Sequence, residues 1–185
     1  MIRLFAIALC LFAVISGGLC GEENVRTAPR IPDVELINQH GQKVHLYSDL
    51  IKGHTFIINT IFTTCTTICP RMGSNYSSLQ KILKARGAHN INLISISIDP
   101  LVDTPERLRR WSETFGAAPE WTLLTGTRSN VDTVLQALRL FAADKNEHTS
   151  MVLIGDESGT SWTRADALTA PSRLADIVLA TRKTP

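Results

Sequence analysis

The stretch His54-Thr55-Phe56-Ile57-Ile58-Asn59-Thr60-Ile61-Phe62-Thr63-Thr64-Cys65-Thr66-Thr67-Ile68-Cys69-Pro70 runs from an apolar strand into a helix and places two thiols at the junction. Residues 54–62 are rich in Ile, Thr and Phe, the residues a buried strand favours. From Pro70 onward, Met72, Tyr76, Leu79 and Leu83 recur at helical spacing. Proline suits a first helical turn and disfavours helical geometry in the residue before it. The helix is therefore expected from Pro70, with Cys69 at its N-terminal edge and Cys65 in the preceding loop.

Working outward, residues 34–46 read as a hairpin turning at Asn38-Gln39-His40-Gly41. Residues 90–98 read as a second strand, with Ile94, Ile96 and Ile98 alternating against Ser95 and Ser97. Thr104-Pro105 opens a helix as cap and first residue, with Leu108, Trp111 and Phe115 on its buried face. Residues 121–125 make a short strand. Ser129 and Asp132 resemble a capping box ahead of Val131, Val134, Leu138 and Phe141. A second hairpin spans residues 150–154 and 161–164, and a last helix begins near Pro171, burying Leu174, Ile177 and Val178. Alternating strands and helices predict an α/β fold whose sheet is mainly parallel, covered on both faces, and extended by a hairpin at each end. In such sheets the site lies at the carboxyl ends of strands, where Cys65 and Cys69 fall.

The N-terminus has its own character. Arg3 is followed by an apolar run from Leu4 to Ile15 and by the small residues Ser16, Gly17 and Gly18. Residues 1–20 thus read as a signal peptide or a membrane anchor, 21–33 as a linker carrying Pro29 and Pro32, and 34–185 as the domain. Export places the domain where disulfides can form. The 19 Lys and Arg residues against 17 Asp and Glu are mixed in sign with no basic run, which excludes nucleic acid as a partner.

Cys10 and Cys20 belong to the leader, so the domain keeps Cys65 and Cys69. A staple between residues this close stabilises little, and such a pair points to redox or metal chemistry. A helix start favours thiolate, which is both nucleophile and metal ligand. Thioredoxin-like oxidoreductases place two residues between their cysteines; here there are three. Peroxiredoxins place Pro and Thr seven and three residues before the reactive cysteine; here stand Ile58 and Phe62. Soft thiolates suit Cu(I), and one added imidazole also admits Cu(II). A third ligand is to be sought among His40, His45, His54, His89 and His148. The first four read as surface residues. His148 differs in lying in a polar loop just before a strand, although a histidine in a loop is more often a surface residue than a ligand.

Three segments together resemble the SCO/SenC family: Cys65-x-x-x-Cys69-Pro70; Ser97-Ile98-Asp99-Pro100 with Asp103-Thr104-Pro105; and His148-Thr149 before Met151-Val152-Leu153-Ile154-Gly155. The resemblance runs from about Ile31 to the C-terminus. It implies a thioredoxin-like fold and copper held by Cys65, Cys69 and His148. It also implies a chaperone role, since many members help assemble the binuclear copper centre of cytochrome c oxidase; the N-terminal signal places that role in the periplasm or at the outer face of the cytoplasmic membrane. The copper-accepting partner it implies is a protein such as cytochrome c oxidase subunit II. The chain carries Thr66 and Thr67 where the family commonly has Pro and Asp, and Glu147 where Asp commonly precedes the histidine. Asp99 and Asp103 read as structural, bonding backbone N–H groups and capping the helix. The competing reading is an exported thiol–disulfide oxidoreductase that uses Cys65 and Cys69 alone. With Ile58 and Phe62 at the peroxidase positions, thiol-dependent peroxide consumption is expected at the buffer background; turnover lost on Cys65→Ser would contradict this.

Overall fold

The computed structural model describes residues 30–156, 158 and 162–182. The segment read as signal or anchor lies outside the described residues, as does most of the linker. Among the described residues no helix is long and apolar enough to cross a membrane. Packing reaches back to Ile31, which is buried in the core.

Among the described residues, seven strands form one sheet. They are β1 (Glu35–Asn38), β2 (Lys43–His45), β3 (Thr55–Ile61), β4 (Ile91–Ser97), β5 (Trp121–Thr125), β6 (Met151–Gly155) and β7 (Trp162–Asp166), in the order β2-β1-β5-β4-β3-β6-β7. The helices are α1 (Leu46–Leu50), α2 (Ile68–Ala85), α3 (Pro105–Phe115), α4 (Arg128–Ala137) and α5 (Pro171–Thr181). β3–β4 and β4–β5 pair in parallel, and every other pairing is antiparallel. The mainly parallel sheet expected from the alternation is thus confined to the centre. Each flank is a hairpin, whose short connection returns the chain antiparallel, and each hairpin also joins the centre antiparallel, β1 on β5 and β6 on β3. At the first hairpin the Asn38 carboxamide oxygen accepts from the amides of His40 and Gln42, and Gly41 turns through φ +77°.

β3 is buried at every position, as a central strand covered on both faces must be. In β4 the serines do not mark a solvent face. Ser95 and Ser97 are wholly buried. Ser95 Oγ donates to Asn59 Oδ1 (2.7 Å) and accepts from Trp121 Nε1 (2.9 Å), so its polarity is satisfied inside the core. Tyr76 of α2 packs on Trp121, with ring centroids 5.4 Å apart, and Trp121 meets Trp111 of α3 edge to face. α2 touches α5, and it meets α3 where Gly73 lies under the Phe115 ring.

Local departures from expectation have local causes. α2 starts at Ile68, two residues early, because Pro70 is tolerated inside the first turn, where its missing N–H has no intrahelical partner to lose. α4 is capped by Thr127, whose hydroxyl accepts from the Asn130 amide, rather than by Ser129. Asp132 instead meets Arg128. Arg139 takes φ +55° just past α4, so helical spacing stops and Phe141 is 41% exposed. Ile177 is only partly buried. α1 had no clear periodic signal; Asp33 caps it by accepting from the amides of Tyr47 and Ser48.

Gly155 lies opposite Phe56 across the β3–β6 pair, and a Cβ there would stand 2.1 Å from the ring. Gly155→Ala is expected to destabilise the fold by about 1–3 kcal/mol, as overpacking does, read as a lowered urea midpoint.

Candidate metal centre

Cys65 and Cys69 sit where β3 gives way to α2 at the carboxyl edge of the central strands. The connecting loop is tied down from the side. Asp103, wholly buried, accepts from the Thr63 amide (3.1 Å), from the Thr63 hydroxyl (2.5 Å) and from Ser97 Oγ (2.6 Å). Arg107 Nε also donates to Thr63 Oγ1 at 3.1 Å. Asp103 thus serves the cysteine loop; the cap of α3 is Thr104, as the sequence predicted. Two residues on, the Cys65 amide donates to the Phe62 carbonyl (3.1 Å).

The two thiols differ. Cys69 is wholly buried and occupies the second position of α2, inside the helix rather than at its edge. Its amide is one of the unpaired donors of the first turn, and it points at Cys65 Sγ (3.4 Å). Burial opposes ionisation of the Cys65 thiol. Hydrogen bonds from the Cys69 thiol, the Thr67 hydroxyl, the Cys69 amide and His148 outweigh it, and hold Cys65 down at about 6. Burial pushes the Cys69 thiol up to about 12, reinforced by its bond to Cys65 and by the negative charge of Cys65 and Asp103. The expectation that the helix start would favour thiolate thus holds for Cys65 and is reversed for Cys69.

His148 arrives from 79 residues further along. β6 runs antiparallel beside β3, so the loop that leads into β6 lies at the end of β3 from which the cysteines emerge. His148 is 7% exposed, and its Nε2 stands 3.5 Å from Cys69 Sγ. Phe62 meets the imidazole edge-on, centroids 5.2 Å apart. His40, His45 and His89 are exposed, and His54 is partly so. The two sulfurs and one imidazole nitrogen of Cys65, Cys69 and His148 all lie within 4.8 Å of one another. Bonds of roughly 2.0–2.3 Å, the range zinc shows with these donors, would let one ion reach all three with small adjustments. The set is soft and three-membered, matching copper in either oxidation state better than a four-ligand structural zinc.

Three residues around the site carried no clear signal in the sequence. Phe62 read as the last residue of a strand. Lys145 read as part of a polar loop; its ammonium bonds Asp99 Oδ2 (2.5 Å) and lies 5.4 Å from the Phe62 ring centroid. Asp103 bonds a backbone N–H as expected, that of Thr63, but the amide belongs to the cysteine loop rather than to α3. Asp99 likewise holds Lys145 rather than capping α3. Glu147, beside His148, is exposed and outside the cluster.

The family model described as SCO1/SenC matches residues 23–182. An SCO1 protein homolog of Bacillus subtilis (strain 168) is 39% identical over 90 residues, covering 48% of this chain and 45% of the relative. The match thus spans less than half of that relative's length. A solved structure of BsSco, described as a member of the Sco family of cytochrome c oxidase assembly proteins and as having a disulfide switch, is 26% identical. It aligns with a TM-score of 0.72 over 83% of this chain and 94% of that one. Copper-bound ScoI of Bradyrhizobium japonicum shares the fold at 23% identity, with a TM-score of 0.70 over 83% and 99% of the two chains.

The thiolate is the species that alkylates, so iodoacetamide labelling of the reduced, metal-free chain should rise through about pH 6 as Cys65 ionises. Cys69 should stay unlabelled at neutral pH, because its proton is held to about 12. Peptide mapping that found Cys69 modified first would contradict this assignment.

Proposed function

The chain belongs to the SCO1/SenC family, and we propose that it is an exported copper chaperone that carries copper on Cys65, Cys69 and His148 toward assembly of cytochrome c oxidase. The observation that carries this reading is the burial of His148 against the cysteine pair, which puts two soft sulfurs and one imidazole nitrogen within 4.8 Å of one another. A dithiol oxidoreductase has no need of a buried imidazole at that place. The Sco-family description of BsSco supports the destination, and the shared fold of copper-bound ScoI supports the cargo.

The protonation pattern indicates how the cargo would be taken up. Cys65, ionised near neutrality, offers the first sulfur. Cys69 keeps its proton until a cation compensates its burial, so loading both sulfurs releases a proton. Two thiolates suffice for Cu(I), whereas Cu(II) calls on the imidazole as well. The acceptor is a protein such as cytochrome c oxidase subunit II. The signal or anchor read in residues 1–20 would place the domain in the periplasm or at the outer face of the cytoplasmic membrane.

A second reading is favoured by the unequal thiols. A nucleophilic Cys65 beside a protonated Cys69 is also the arrangement of a dithiol that reduces a target disulfide. Cys65 would attack to form the mixed disulfide, and Cys69 would resolve it as it loses its proton.

Copper titration of the reduced full-length chain separates the two. One Cu per chain is expected, with a sulfur-to-copper charge-transfer band in the Cu(II) form. His148→Ala should abolish that band and weaken Cu(II) strongly, while Cu(I) binding and disulfide formation between Cys65 and Cys69 persist. A His148→Ala variant that binds Cu(II) like the parent, with Cys65→Ser abolishing activity on disulfide substrates, would replace the chaperone reading with the oxidoreductase one.

A further inference from the structure

The His148 ring lacks the anchor that ligating imidazoles ordinarily have. Its Nε2 faces Cys69 Sγ, while Nδ1 is buried without a hydrogen-bond partner. A ligating histidine almost always donates its second N–H to a carboxylate, a carbonyl or water, and that bond sets the ring's orientation. Here the orientation has to come from the backbone that carries the ring and from the rings packed beside it.

That backbone is a single 3-10 turn, Lys145–Glu147, with the Glu147 amide bonded to the Asp144 carbonyl (3.0 Å) and the His148 amide to the Lys145 carbonyl (3.3 Å). A turn this short does not hold itself in place. Its tie to the body is the Lys145 ammonium, which donates to Asp99 Oδ2 at 2.5 Å. The carboxylate end of that tie is firm. The Asp99 side chain is only 12% exposed, its amide donates to Ser97 Oγ, and its carbonyl accepts from the amides of Val102 and Asp103. Ser97 Oγ in turn donates to Asp103, which holds the cysteine loop through Thr63. The same ammonium lies over the Phe62 ring, which also meets the His148 imidazole edge-on. One cation therefore touches both things that frame the imidazole: the turn that carries it and the aromatic face against it.

We infer that Lys145 is the positioning residue of the third ligand, holding His148 over the cysteine pair through Asp99 and Phe62. This rests on the copper reading of the Cys65, Cys69 and His148 cluster. Lys145 does not touch the ion; it acts through where His148 stands. The effect falls on the oxidation state that needs the imidazole, so Lys145 biases the site toward holding Cu(II) as well as Cu(I). Arginine at 145 would keep both the ion pair and the cation–π contact, whereas a neutral side chain of similar length would lose both.

The test uses the full-length chain with Lys145→Met, Lys145→Arg and the double variant Asp99→Asn/Lys145→Met, which removes the pair without leaving a carboxylate unmatched. Cu(II) affinity in Lys145→Met is expected to fall by about 10–100-fold, the range for partners that orient a metal ligand, with a weakened charge-transfer band. Cu(I) affinity and the urea midpoint should stay close to the parent's. Lys145→Arg should restore Cu(II) binding, and the double variant should be no worse than the single one, as for two residues acting through one contact. In the metal-free chain, amide hydrogen exchange at Glu147 and His148 should speed up in Lys145→Met and not in Lys145→Arg. Parental Cu(II) affinity with parental exchange in Lys145→Met would overturn the inference. So would equal losses of Cu(II), Cu(I) and stability, which would make Lys145 a general structural residue. If the parent itself bound no copper, the chaperone reading would fall, and the exchange comparison would still decide whether Lys145 positions His148.

Discussion

The wholly buried Asp103 carboxylate accepts hydrogen bonds from the Thr63 amide, the Thr63 hydroxyl and Ser97 Oγ, and the geometry of the site descends from that. A carboxylate taken out of water is costly unless its oxygens are met by donors, so its partners are held as firmly as it is. One of them ends β4 and the other begins the cysteine loop. The bond set therefore fixes how far Cys65 stands from the junction of β4 and α3. Once that loop is placed, the first turn of α2 brings the Cys69 amide to Cys65 Sγ, and the β6 strand beside β3 brings His148 in from the other side.

The same arrangement explains why two thiols four residues apart behave so differently. Cys65 is in the loop, where a helix-terminal amide, a hydroxyl and the neighbouring thiol can all serve its anion. Cys69 has turned into the helix, sealed by packing and facing the field of Asp103. The negative charge falls on Cys65, and burial together with that charge keeps the proton on Cys69. A cation arriving at the site reverses that balance, because it compensates the burial that opposes the second thiolate.

Much of this was readable in the sequence. The strand–loop–helix around Cys65 and Cys69, the Thr104 cap with Pro105, and the two hairpins follow from local patterns, and they are where the structure has them. The resemblance to the SCO/SenC family singled out His148 among the five histidines. Other features depend on partners distant in the chain and leave no local trace. Ser95 and Ser97 alternate with isoleucines in β4, and what their hydroxyls bond inside the core, Asn59, Trp121 and Asp103, the alternation does not tell. Lys145 looks like one more solvated loop charge until Asp99, 46 residues away, is seen beneath it. The two hairpins were each legible, but that they flank a parallel centre rather than merely extend it depends on strand order, which periodicity does not encode.

The donor set is split unevenly along the chain, and that sets an order for its assembly. Cys65 lies in the loop between β3 and α2 and Cys69 in the first turn of α2, and β3 pairs with β4, the next strand in the chain. His148 is 79 residues from Cys69 and joins only when β6 docks on the far side of β3. Contacts of long sequence separation form late, because the loop that joins them must close first. A chain emerging from its N-terminus thus exposes a reactive dithiol before the imidazole can cover it. During that interval the pair is open to oxidation or to capture of a stray ion, so the surroundings in which this chain folds govern what its cysteines first encounter.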